Sequence, residues 1–158
     1  MSEAPSPLDF KVPPVAVFVV CAALMLALAA LFPGLAQPFA TIHWAAIGMC
    51  IASAAILGLS AIRQFRSAGT TIHPQRAEAT STLVRDGIYG FTRNPMYLGL
   101  AMLLGAVAAY TANPVSVIGI VLFILYIGRF QIAPEERILR AKYGAEFDRY
   151  CRIVRRWI

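Results

Sequence analysis

Two long stretches without a formal charge limit what this chain can become. Residues 12–62 contain no Asp, Glu, Lys or Arg, and neither do residues 94–128. Each stretch exceeds the roughly 20 apolar residues that carry a helix across a bilayer. In lipid a single segment satisfies its backbone polar groups by coiling into a helix. Only 14% of the chain is charged, whereas a soluble domain carries about 25%. The expected fold is therefore all-α: an integral-membrane helical bundle, in a chain long enough for one domain.

Pro and Gly divide the apolar stretches. The first span is expected over residues 14–32, opened by Pro14 and stopped by Pro33-Gly34. The second covers 39–62, where Gly48, Ala52, Ala55 and Gly58 would let another helix approach closely. His43 and Trp44 near its start read as interface-belt residues. The third and fourth spans, 96–112 and 115–128, flank the turn signal Asn113-Pro114. Each is shorter than a comfortable span, and together they read as a helical hairpin. Ala101, Gly105 and Ala109 would let its two arms meet. In the tail, Leu139, Tyr143, Phe147, Tyr150 and Val154 recur at helical spacing among arginines. That stripe predicts an amphipathic helix on the membrane surface, with Pro134 in its first turn and Gly144 as a bend or break. The single domain, 1–158, thus comprises about four transmembrane helices and an amphipathic C-terminal helix. Its parts are two N-terminal spans (1–62), a polar loop (63–95), the hairpin (96–130) and the tail (131–158).

Charge sets the expected topology. Lys11 aside, every basic residue falls in the 63–95 loop or after residue 128, and the connections 33–40 and 110–114 carry none. The positive-inside rule then puts both termini and the long loop in the cytoplasm. The net charge of +6 is accounted for by this topology and by anionic lipid. No nucleic-acid motif accompanies it, so membrane lipids are the expected partners and nucleic acid is not. Cys21, Cys50 and Cys151 give neither a disulfide framework nor a zinc pattern, and no metal is expected. The long first apolar run, with no small-residue cleavage site after it, predicts no cleavable signal peptide.

The candidate chemistry gathers at one stretch, Gly87-x-Tyr89-x-x-x-Arg93-Asn94-Pro95-x-Tyr97-x-Gly99, where the polar loop meets the third span. A hairpin returns to the side it left, so residues 93–97 and 129–136 share one depth. This brings a guanidinium, an amide and phenols to the carboxylate pair Glu135-Glu136. There is no serine–histidine pair and no phosphate-cradling loop with a lysine. A cofactor with both positive and negative groups suits the set, and S-adenosylmethionine is one such group. Carboxylates would hold its amine or diol, and arginine its carboxylate. Other readings of the same residues stay open. Arg93 could be a cytoplasmic anchor, Glu135-Glu136 could favour a helix N-terminus, and the tyrosines could be belt residues.

The same stretch, followed after the hairpin by Glu135-Glu136-x-x-Leu139-x-x-x-Tyr143-Gly144-x-x-Phe147-x-x-Tyr150, resembles the isoprenylcysteine carboxyl methyltransferase family. More broadly it resembles the integral-membrane methyltransferases that include phospholipid N-methyltransferases. Gly69-Thr70-Thr71-x-x-Pro74 is similar to bacterial members, and the likeness covers roughly residues 60–156. The resemblance implies an S-adenosylmethionine pocket in the C-terminal half, closed by the tail. Tyr89, Arg93, Asn94, Pro95, Tyr97, Gly99, Glu135 and Glu136 would contribute to cofactor binding. Arg93, Glu135 and the late arginine, Arg156, would stand at the reaction centre. Two departures bear on the acceptor: Arg155 stands where the family usually has proline, and Asn94 where the carboxyl methyltransferases proper usually have histidine. The implied acceptor is therefore no more specific than a lipophilic carboxylate, thiol or lipid amine. The short length resembles prokaryotic members, which implies an inner-membrane enzyme. Two alternatives stand beside this reading. One is a membrane reductase with a nicotinamide cofactor, because some sterol reductases share similar C-terminal motifs. The other is a non-enzymatic lipid-binding membrane protein.

Overall fold

A computed structural model describes residues 6–67 and 83–158, without the Phe65 side chain. The described residues build helices α1 (Pro14–Leu31), α2 (Thr41–Ser67), α3 (Pro95–Thr111), α4 (Val117–Ile127), α5 (Ala133–Tyr143) and α6 (Ala145–Ile153). Three helical runs are long and apolar enough to cross a membrane: Pro14–Leu31, Thr41–Gln64 and Pro114–Tyr143. The shorter apolar α3 packs between α1 and α2. The protein is an integral-membrane helical bundle.

The core lies where α1, α3 and α4 meet. On α1 the buried residues are Val17, Cys21 and Met25, one per turn on a single face. They pack with Ala101 and Leu104 of α3, with Phe123 and Ile127 of α4, and with Ile132. The outer faces keep exposed Val15, Val19, Val20, Val121, Leu122 and Leu125, as lipid contact requires. Gly119 permits the α1–α4 approach. A Cβ there would stand 2.3 Å from Met25 Cγ and 3.1 Å from the Cys21 carbonyl oxygen.

The α2–α3 contact uses small residues other than those expected. Gly48 and Gly58 of α2 have nothing within 4 Å of a Cβ position, and Ala52 and Ala55 are exposed. Ala54, Leu57 and Ala61 are the buried positions of α2 instead. The phase is set from α3: a Cβ at Gly99 would lie 3.4 Å from the Ala54 carbonyl oxygen, and one at Gly105 would lie 3.2 Å from Cys50 Sγ. Gly105 thus serves α2 and not the hairpin partner.

A polar clasp closes the uncharged end of the bundle. Asn113 Nδ2 donates to the Phe32 carbonyl at 2.9 Å, and Gln37 N donates to the Ala112 carbonyl at 2.7 Å. Ser116 Oγ pairs with Thr111 Oγ1 at 2.8 Å and donates to the Met25 carbonyl at 3.3 Å. The two inter-helix turns are therefore joined to each other.

The fourth span does not stop near Gly128: Pro134 lies in the first turn of α5, as expected, but α5 continues the rod of α4. Residues Pro114–Tyr143 form one helical run. A π-turn at Gly128–Ile132 joins α4 to α5, with Ala133 N donating to the Gly128 carbonyl. Proline lacks an N–H and crowds the preceding turn of an α-helix. The wider π-turn accommodates both effects, so Glu135 and Glu136 sit inside a continuous rod and not at a free helix N-terminus. The chain then breaks at Gly144, whose φ of +50° suits glycine. Beyond it, Phe147, Tyr150 and Val154 are buried, with Leu83, Leu139, Tyr143 and Cys151 around them. The stripe expected to rest on lipid is the inner face of a second small core. Amphipathicity reveals an apolar face but not what covers it.

Gly119→Leu should lower the thermal midpoint in detergent by an overpacking cost of about 1–3 kcal/mol. An unchanged midpoint would show that α1 and α4 do not meet there.

Candidate functional site

Pro95 opens α3, and the three residues before it turn their polar groups toward the C-terminal segment. Arg93 N donates to the Arg155 carbonyl at 3.1 Å, and Asn94 Nδ2 donates to the Arg156 carbonyl at 2.8 Å. Thr92 Oγ1 reaches the same carbonyl at 3.4 Å and accepts from Asn94 N at 3.2 Å. The Arg93 side chain goes further. Its Nη1 donates to the carbonyls of Cys151 at 3.1 Å and Val154 at 2.7 Å. A cation at those carbonyls satisfies the end of α6 and matches its dipole.

The other guanidinium nitrogen, Arg93 Nη2, donates to Glu136 Oε1 at 2.8 Å. Arg156 approaches the same carboxylate: Nε to Oε1 at 3.1 Å and Nη2 to Oε2 at 2.6 Å. Arg93 and Glu136 are each 12% exposed, whereas Arg156 is 40% exposed. Glu136 is thus a shared counter-ion, bonded through both oxygens. Those bonds hold the Arg156 guanidinium above even its usual high pKa.

Glu135 is held differently. Its Oε1 accepts from Tyr97 OH at 2.5 Å. Among the described residues, no hydrogen bond reaches its Oε2. One further polar atom stands open: Arg93 Nε is buried without a partner. Tyr89 closes the edge. Its carbonyl accepts from Tyr150 OH at 2.7 Å. Burial raises the pKa of its phenol, with the Tyr150 and Glu135 charges adding to the effect. Burial also raises the Tyr150 phenol. Both phenols stay protonated at neutral pH.

The structure therefore brings Tyr89, Arg93, Asn94, Pro95, Tyr97, Glu135, Glu136 and Arg156 to one end of the bundle. Gly99 is not among them, since it faces α2. Asn94 spends its amide N–H on the backbone of the tail. Pro95 is buried as the first residue of α3. The Gly69–Pro74 motif, with His73, Arg76 and Glu78, lies outside the described residues. Sequence reasoning missed Thr92, whose hydroxyl orders the turn before Pro95, and the carbonyls of the tail, which no side-chain pattern reveals. Among the described residues, two groups fit a zwitterionic cofactor: the second carboxylate oxygen of Glu135 for an amine or diol, and the buried Nε donor of Arg93 for a carboxylate.

The chain is similar to a family described as phospholipid methyltransferase, which matches residues 41–146. An uncharacterized protein of Haemophilus influenzae is 44% identical over 63 residues, which is 40% of this chain and 100% of that protein. No solved structure matches the chain.

Arg93→Ala should cost about 3 kcal/mol, the loss expected when one partner of a mostly buried pair is removed. Arg156→Ala, at a more exposed site, should cost about 1 kcal/mol. Tryptic cleavage at Arg149, Arg152 and Arg155 in detergent reads the difference. Equal protection in both variants would show that Arg93 does not hold the tail.

Proposed function

We propose, from the premise that this chain belongs to the phospholipid methyltransferase family, that it methylates a lipophilic, membrane-embedded acceptor using S-adenosylmethionine. The cofactor supplies a methyl group on a positively charged sulfur. Methyl transfer then depends mainly on in-line placement of a nucleophile. The observation that carries this reading is the unequal bonding of the glutamate pair: among the described residues, Glu136 is taken up by Arg93 and Arg156, whereas Glu135 is bonded through one oxygen, by Tyr97.

Each residue then has a distinct task. Tyr97 fixes the Glu135 carboxyl so that its second oxygen faces a ligand amine or ribose diol. Arg93, oriented by Glu136 and by two tail carbonyls, offers its remaining Nε–H to a ligand carboxylate. Arg156 completes the charge around Glu136 and keeps the tail closed over this end. Tyr89 and Tyr150 exclude water from the same edge. The acceptor, a carboxylate, thiol or lipid amine, enters from the bilayer beside α3 and the π-turn. The site faces the cytoplasm of a prokaryotic inner membrane, with both chain ends on that side. This placement rests on the charge distribution and on contacts of both ends with the 128–137 segment.

Titration calorimetry in detergent with S-adenosylhomocysteine tests the reading. Wild type should bind. Glu135→Gln should weaken binding by about 10- to 100-fold, the worth of a hydrogen bond to a charged group, and Tyr97→Phe by less. No binding by folded wild-type protein would sink the proposal, and unchanged affinity in Glu135→Gln would remove that carboxylate from the site. Thermal stabilisation by NADPH alone would favour a reductase.

A further inference from the structure

The N-terminal lead lies outside the matched region 41–146 and contributes nothing to the site described above. Among the described residues, three of its long-range polar contacts nevertheless fall on one short segment. An α-helix would send the N–H of residue 134 to the carbonyl of residue 130. Residue 134 is proline, so that bond to the Phe130 carbonyl is absent. Phe10 N donates to the same carbonyl from outside the rod, at 3.1 Å. The next residue, Gln131, is 1% exposed and donates through Nε2 to the Val12 carbonyl at 2.8 Å. Two turns along the rod, Arg137 forms an ion pair with Asp9 Oδ2.

These three contacts bracket Glu135 and Glu136. The lead is itself shaped for the task. Ser6 N donates to Asp9 Oδ2 at 3.0 Å, and Asp9 N donates to the Ser6 carbonyl at 3.0 Å. Phe10 adopts φ +59°, a left-handed backbone unusual for a bulky residue. It turns the chain so that Asp9 and the Phe10 N–H meet the rod together. Asp9 Oδ1 is buried without a partner. A half-satisfied buried carboxylate is a poor source of stability. Strain and an orphaned oxygen both point to a role in placement.

We infer that residues 8–12 are a clamp that sets the register of the π-turn, with Asp9 as a positioning residue for the glutamate pair. A proline inside a helix removes one ladder hydrogen bond, so fewer backbone bonds tie the turn that follows to the turn before. The clamp fixes the following turn from both sides, through the Phe130 carbonyl before the pair and Arg137 after it. Glu135 is thereby aimed at Tyr97, and Glu136 at the two guanidiniums. The functional half of this inference rests on the proposed cofactor site; the structural half does not.

Hydrogen–deuterium exchange of the full chain in detergent tests the clamp directly. Asp9→Ala should raise exchange across residues 130–140 about tenfold and leave 95–111 at the wild-type rate. The same variant should bind S-adenosylhomocysteine about tenfold more weakly. The charge exchange Asp9→Arg with Arg137→Asp should recover most of both effects, which a merely space-filling role would not. Unchanged exchange over 130–140, or an equal rise over 95–111, would overturn the clamp. Faster exchange at 130–140 with unaltered ligand affinity would overturn the positioning role. Wild-type protein that binds no S-adenosylhomocysteine would sink the cofactor reading alone, because the exchange measurement still decides the clamp.

Discussion

The carboxylate of Glu136 is the interaction on which this end of the molecule depends. It is shared by Arg93, at the mouth of α3, and Arg156, near the chain end. Three segments remote in sequence are joined at a single side chain. Two guanidiniums this close would repel each other without it. Arg93 extends the junction by holding the carbonyls of Cys151 and Val154, so the second core stays docked. In a largely apolar protein, few polar contacts are available to tie the parts together. Here several of them converge on one carboxylate.

Much of the fold was legible in the residues. Charge-free runs marked the helices, and Pro14, Pro33 and Pro95 marked boundaries to within a residue or so. The meeting of residues 93–97 with 135–136 followed from hairpin topology, which needs no atomic detail. Other features resisted for physical reasons. Pro134 has the same appearance at the start of a helix as after a π-turn, because both tolerate its missing N–H. Gly99 and Gly105 showed that something packs closely, but the phase of two helices decides what. The Leu139–Val154 stripe gave an apolar face, while its partner includes Leu83, from a loop with no periodicity to read.

The division of labour between Glu135 and Glu136 was invisible at the level of sequence. Adjacent residues on a helix point about 100° apart, so a glutamate pair always addresses two different neighbourhoods. Here one neighbourhood is cationic and the other phenolic. Tyr97 meets Glu135 because it sits two positions into α3 on the face turned toward α4 and α5. Asn94 turns instead to the tail backbone, which is a use that its side-chain chemistry alone does not announce.

The clasp at the uncharged end has a mechanical consequence. Asn113 to Phe32 and Gln37 to Ala112 bind the two inter-helix turns to each other. Helices fastened together at one end behave as levers about that end, and displacement grows with distance from the fulcrum. Over the roughly 25 Å length of α3, a tilt of a few degrees moves the clasped end hardly at all and the Pro95 end most. A tilt of α3 is therefore felt at the charged face, beside Tyr97 and Glu135, where the Glu136 junction has to hold it.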